Sequence, residues 1–222
     1  MQCLALFDLD HTLLPIDSDY EWGCFLGRIG AVDPQQYEAR NQAFYERYQA
    51  GTLVIEEFLA FALEPLARHD PGALDDWHRR FMEEVIEPAL RSEATALIDR
   101  HRVRGDLCAV VTATNDFVTA PIARAFGIEH LVATRAERIG GRFTGRHAGI
   151  PSYREGKVVR VEEWLRALGR DWTTFDETWF YSDSSNDLAL LERVSHPVAT
   201  NPDPGLRARA LASGWPVIDL FQ

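Results

Sequence analysis

Short apolar runs that stop abruptly at polar residues, separated by helix-like stretches, predict a doubly wound α/β fold around a parallel sheet. Leu4-Ala5-Leu6-Phe7 stops at Asp8, Leu107-Cys108-Ala109-Val110-Val111 at Thr112, and Thr178-Trp179-Phe180-Tyr181 at Ser182-Asp183. Runs without polar alternation mark strands buried on both faces. Ligands in such sheets bind beyond the carboxyl ends of the strands, which is where these polar residues gather.

The elements follow in chain order. Leu4 to Phe7 reads as the first strand, and core structure resumes near Pro88 with a helix over Glu93 to Arg104. Next come the Leu107 strand, a helix over Val118 to Phe126, and an irregular piece from Arg135 to Gly156. Gly140-Gly141, flanked by Ile139 and Phe143, predicts a small β-hairpin there. Helices over Val158 to Leu168, Leu188 to Val194 and Leu206 to Ala212 alternate with the Thr178 strand and a further short strand, Pro197-Val198-Ala199. Pro15 to Glu87 is different. It is rich in aromatic and charged residues, lacks strand alternation, and is broken by Gly30, Pro34, Gly51, Pro65 and Pro71. The expected organisation is a core of residues 1–14 and 88–222, with residues 15–87 inserted as a helical cap domain.

At 222 residues and 46% hydrophobic content the chain has enough apolar material for a substantial core and an insertion. Its formal net charge of -11 opposes sequence-independent nucleic-acid binding, which needs a cationic field. An anionic ligand must then be held by a local metal ion, lysine or set of helix-end amides. Met1 leads quickly into the first strand, with no signal-peptide pattern and no membrane-spanning run, so a cytoplasmic protein is expected. Cys3, Cys24 and Cys108 show no C-x-x-C spacing, which supports neither a disulfide framework nor a zinc site. No sequence feature specifies an oligomer or a macromolecular partner.

Four segments carry chemistry. Asp8-Leu9-Asp10-His11-Thr12 sets two carboxylates two residues apart at a strand end, where one can act as nucleophile and the other can move protons. Acidic helix caps would look the same. Ser182-Asp183-Ser184-Ser185-Asn186-Asp187 supplies a second group of hard oxygen donors, suited to Mg²⁺ or to a solvated capping loop. Thr112-Ala113-Thr114-Asn115 precedes a helix start, which serves equally as a phosphate cradle or an ordinary cap. Lys157 is the only lysine in a chain that otherwise uses arginine. A compact ammonium at that one position suggests a point charge that a forked guanidinium cannot replace.

Together and in this order the four segments resemble the motifs of the haloacid-dehalogenase-like phosphohydrolases, and the insertion resembles the helical cap of their phosphoserine-phosphatase-like branch. The resemblance implies a Mg²⁺-dependent phosphatase acting on a small phosphorylated metabolite. Asp8 would be the nucleophile and Asp10 the acid–base residue. Thr112, Ala113, Lys157 and Asn186 would bind the phosphoryl group. The metal would be held by Asp8, the Asp10 main-chain carbonyl and Asp183, with Asp187 orienting that shell. Asp10 also separates phosphatases from the carbon-attacking dehalogenases of the family. A phosphotransferase or mutase using the same intermediate, and a non-catalytic binding protein on this fold, remain alternatives.

Three departures from the family pattern stand out. His11 replaces a common glycine and is expected at the rim rather than in acid–base chemistry. Thr112-Ala113-Thr114 stands for Ser-Gly-Gly, and Ser182-Asp183-Ser184 for Gly-Asp-Gly. The lost glycines change how closely backbone approaches substrate and argue against authentic phosphoserine phosphatase activity. In the cap, Tyr20, Glu21, Trp22, Arg28, Tyr45, Arg47 and Tyr48 are candidates to face the site, although such residues at helical spacing equally form core and solvated face. Asp17 and Glu21 would suit an amine, as in phosphoserine, histidinol phosphate or another amino-alcohol phosphate.

Overall fold

In the first strand, β1 (Cys3–Phe7), Leu4 and Leu6 point to one side and Ala5 and Phe7 to the other, and all four are fully buried. That strand must lie in the middle of a covered sheet. A computed structural model describing residues 2–221 places it there. It pairs in parallel with β2 (Leu107–Asn115) on one side and β5 (Glu177–Ser182) on the other. With β3 (His130–Ile139), β4 (Arg142–Ala148), β6 (His196–Thr200) and β7 (Val217–Ile218), the order is β4-β3-β2-β1-β5-β6-β7. All pairings are parallel except β3 with β4. The chain moves outward from β1 in both directions, so its carboxyl end is the topological switch point where such sheets bind ligands.

Helices cover both faces. Leu4 and Leu6 pack with Val161 and Leu165 of α8 (Glu155–Ala167), with α9 (Leu188–Leu191), and with α10 (Pro204–Ser213). Ala5 and Phe7 face α6 (Ser92–Arg102) and α7 (Asp116–Ala125). The same apolar cluster continues into the insertion between β1 and α6. There lie α1 (Ser18–Arg28), α2 (Pro34–Gln49), α3 (Ile55–Arg68), α4 (Pro71–Phe81), a π-helical turn over Met82–Ile86 and the short α5 (Glu87–Ala89). Trp22 and Phe81 sit edge to face at 5.2 Å, and Trp22 also meets Phe117 of α7. The outer pair, α2 and α3, has aromatic packing of its own, with Tyr37 and Phe61 at 4.4 Å.

Gly140 and Gly141 both adopt positive φ, at 58° and 81°, and Ile139 pairs with Arg142 across them. This two-residue turn forms the expected hairpin. Three features depart from the sequence reading. β2 runs on to Asn115, whose main chain pairs with Thr134 after a register shift, while its side chain caps α7 by accepting from Val118 N. The first half of β3 is a parallel core strand, and β7 closes the far edge. Both have apolar runs too short to stand out. Among the described residues no helix is long and apolar enough to cross a membrane.

Candidate active site

Asp8 continues the ladder of β1, its main-chain N–H donating to Tyr181 O at 2.9 Å, so its carboxylate emerges from a fixed position. Lys157 lies in the first turn of α8 and is 1% exposed. Its Nζ donates to Asp8 Oδ1 and Asp187 Oδ2, both at 2.7 Å. Asp187 Oδ2 also accepts from Ser182 Oγ at 2.7 Å. The turn before Lys157 is tightly wound: a Cβ on Gly156 would lie 2.1 Å from Pro151 O. Arg154, just ahead, is held at φ 50° and ψ −124°, a backbone region that costs a non-glycine residue about 1–3 kcal/mol.

Thr12 Oγ1 sits between Asp8 Oδ2 at 3.4 Å and Asp183 Oδ1 at 3.2 Å, and accepts from Asp183 N at 2.9 Å. These two carboxylates thus converge from neighbouring strand ends. The loop reaching Thr12 passes through His11 at φ 56°, a left-handed conformation that accounts for the glycine expected there. Asn201 braces the loop, its Nδ2 donating to His11 O at 2.9 Å and Thr12 O at 3.3 Å.

Asp10 turns the other way, into the space under the cap. Its Oδ1 accepts from Ser18 N at 2.7 Å and its Oδ2 from Thr114 Oγ1 at 3.0 Å. Burial, with repulsion from Asp17, raises its pKa from 3.8 to about 6, a value suited to giving and taking protons near neutrality. Thr112 is buried, and its Oγ1 accepts from Thr114 N at 3.2 Å.

One ammonium faces several carboxyl groups. Burial alone would lower the pKa of Lys157, but Asp187 and Asp8 push it above its ordinary value, and it stays charged. Burial raises Asp187 to about 6 against the pull of Lys157, and raises Asp8 as well. Asp183, with no cationic side chain bonded to it among the described residues, is driven well above 3.8 by burial and then by Asp8 and Asp187. Such a cluster is short of positive charge, and the convergent Asp8 and Asp183 oxygens fit a hard divalent cation. Among the described residues no three His, Cys, Asp or Glu side chains group as a closed metal cage.

Asp8, Asp10, Thr112, Ala113 and Thr114 floor a cavity beneath the cap. Of the cap candidates, Tyr20, Tyr45, Tyr48 and Asp17 line it. Glu21 does not, and Trp22 is buried in the shared core. Arg28 pairs with Glu84 and Arg47 with Glu57 on the exterior. Asn186 does not bond Lys157; its amide binds Tyr153, Arg154 and the Tyr48 carbonyl. Sequence reasoning passed over Asp19 and Ser18, and placed Thr114 in the second motif without a role of its own. Asp19 lines the cavity, where burial followed by repulsion from Asp17 and Asp10 raises its pKa well above 3.8. Its signal was alternation with Asp17 at a helix start, which reads as ordinary capping.

The profile of the haloacid dehalogenase-like hydrolases matches residues 5–192, and the chain belongs to this family. Its parallel core with a helical insertion after the first strand is a fold that phosphoserine phosphatases of known structure share. The chain is 44% identical over 220 residues to a histidinol-phosphatase of Neisseria meningitidis serogroup C (strain 8013), covering 99% of each protein. It is similar to a protein of unknown function from Bordetella pertussis Tohama I, whose crystal structure matches with TM-score 0.95 at 56% identity over 100% of both chains. A substrate-bound phosphoserine phosphatase shares the fold at TM-score 0.71 and 20% identity, over 98% of this chain and 93% of that one.

Proposed function

We propose that the protein is a Mg²⁺-dependent phosphomonoesterase for a small amino-alcohol phosphate, with histidinol phosphate as the substrate that fits best. The observation that carries this reading is that Asp8, buried and bonded to Lys157, shares one cavity floor with an Asp10 whose pKa is raised to about 6.

In the first step an Asp8 carboxylate oxygen bonds to phosphorus in line as the bond to the ester oxygen breaks, and Asp10 gives its proton to that leaving oxygen. Asp10, now ionised, takes a proton from the water that attacks the phospho-aspartate, and inorganic phosphate leaves. Thr112, Ala113 and the Lys157 ammonium bind the non-bridging phosphoryl oxygens. Asp8, the Asp10 main-chain carbonyl and Asp183 would hold the metal, and Asp187 orients Lys157 beside it. Bound there, Mg²⁺ supplies charge neutralisation on the transferring phosphoryl group.

The charge of the cavity supports the substrate class. Asp10, Asp17 and Asp19 line the cavity, and among the described residues no lysine or arginine does. A leaving group with ammonium or imidazolium groups gains there, whereas one bearing a carboxylate, such as phosphoserine, meets repulsion. The name of the 44%-identical relative agrees with that choice. We further take residues 1–14 and 88–222 as the catalytic core and 15–87 as the cap. The three cysteines are free, as a reducing cytoplasm would keep them.

Phosphate release from histidinol phosphate, phosphoserine and neutral sugar phosphates, with Mg²⁺ and with chelator, tests the reading. Metal-dependent release, fastest with histidinol phosphate and abolished in Asp8→Asn, is expected. Preference for a neutral sugar phosphate would overturn the substrate class, and conservation of phosphate in a second organic product would replace hydrolysis by transfer.

A further inference from the structure

We propose that Arg154, acting with Asn186, is a positioning residue that locks the α2–α3 end of the cap over the phosphoryl site. For its effect on turnover this rests on the phosphatase reading; for the lock itself it does not.

The chain between α2 and α3 hangs over the cavity, where Tyr48, Leu53 and Ile55 form part of the roof. Leu53 is buried and Ile55 packs against the shared core on the α3 side of this turn. The main chain on its α2 side is held by a branched polar contact from the floor. Arg154 Nη2 donates to Gly51 O at 2.5 Å, and Arg154 Nε and Nη2 each donate to Asn186 Oδ1 at 3.2 Å. Asn186 Nδ2 in turn donates to Tyr48 O at 3.3 Å, one helical end residue before the turn. Tyr153 OH completes the set on Asn186 Oδ1 at 3.3 Å.

Both floor residues are placed to connect roof and chemistry. Arg154 is three positions before Lys157, and Asn186 lies between Asp183 and Asp187. Arg154 also adopts positive φ without being glycine. Strain of that kind persists where surrounding contacts over-determine it, and the contacts here are those to the cap turn. Polar ties from the core also reach the outer cap helices at Tyr45, bonded to His11 at 3.2 Å, and at Glu56, bonded to His147 at 2.7 Å on the surface. Neither bonds the turn itself.

Hydrogen–deuterium exchange and steady-state kinetics on Arg154→Ala, Arg154→Lys and Arg154→Gly test the proposal. In Arg154→Ala the amides of residues 50–54 are expected to exchange about tenfold faster and KM to rise about tenfold, with kcat changed far less. Arg154→Lys restores part of both effects. Arg154→Gly keeps the open-cap exchange but melts no lower than Arg154→Ala, because glycine accepts the positive φ. His147→Ala leaves exchange at 50–54 and KM at wild-type values. Unchanged exchange in Arg154→Ala overturns the lock whether or not any ester is turned over. Faster exchange with KM unchanged overturns the positioning role. A KM rise that merely follows a loss of melting temperature across all three variants assigns Arg154 to general stability and overturns it as well.

Discussion

The floor and the roof of the cavity are built by opposite physical means. Asp8 and Thr112 of the floor, with Lys157, Asp183 and Asp187 beside them, come from three neighbouring strands and one helix start, and most are fixed by short, buried hydrogen bonds. The roof is aromatic and carboxylic, and it shares the core unevenly: Trp22 and Phe81 pack on Phe117 and α3 adds Leu59, Leu63 and Leu66 to the same cluster, whereas α2 buries only Asn41. A phosphoryl group is the same in every ester, so its binders gain from rigidity. Leaving groups differ, so selection belongs to the part that can be altered or moved without disturbing the floor.

The largest expected effect breaks the floor chemically and leaves it standing. Asp8→Asn should lower turnover by roughly 10⁴-fold or more, while its melting temperature stays at or above wild type because a crowded carboxylate is gone. A matching fall in stability would mean that the charges of the floor serve the fold. In the roof, Phe81→Ala should cost about 3–5 kcal/mol in denaturant unfolding, against about 1 kcal/mol for Phe58→Ala on the half-buried outer pair. Equal costs would show that the two cap halves are held alike.

Asp19→Asn should raise KM about tenfold for a cationic phosphomonoester and leave a neutral one unchanged, as measured by phosphate release. The smallest effect concerns pH. Asp10, Asp17 and Asp187 lose their protons near 6 in the folded chain, against 3.8 ordinarily. The folded state therefore holds extra protons between these values, and the stability they give at low pH is lost as pH rises through 6. Metal-free protein should melt higher at pH 5 than at pH 7.5, by calorimetry. Asp17→Asn should narrow that gap by about 1 kcal/mol, since asparagine still caps α1.

Much of the floor was legible in the sequence because each of its groups sits directly after an apolar run or at a helix start. Asp8, Thr112 and Asp183 could be assigned to strand ends by local pattern, and Lys157 stood out by being the only lysine. The roof was not legible in that way. Trp22 and Tyr20 look equivalent along the chain, yet one is core and the other lines the cavity. Asn186 has a family position but binds the cap rather than Lys157. Thr114, standing where a glycine is usual, acquires a role by bonding Asp10 across 104 residues.

The sequence by itself determined the alternation of strands and helices, the inserted helical segment, the hairpin turn at Gly140-Gly141 and the order of the acidic motifs, because each follows from local periodicity and backbone preference. Tertiary structure alone decided the parallel half of β3, the union of α1 and α4 with the core, the choice of Asp17 and Asp19 rather than Glu21 to face the cavity, and the contact of Arg154 with the cap turn. Each of these depends on which surfaces meet after the chain has closed on itself, a relation between distant residues that no local window contains.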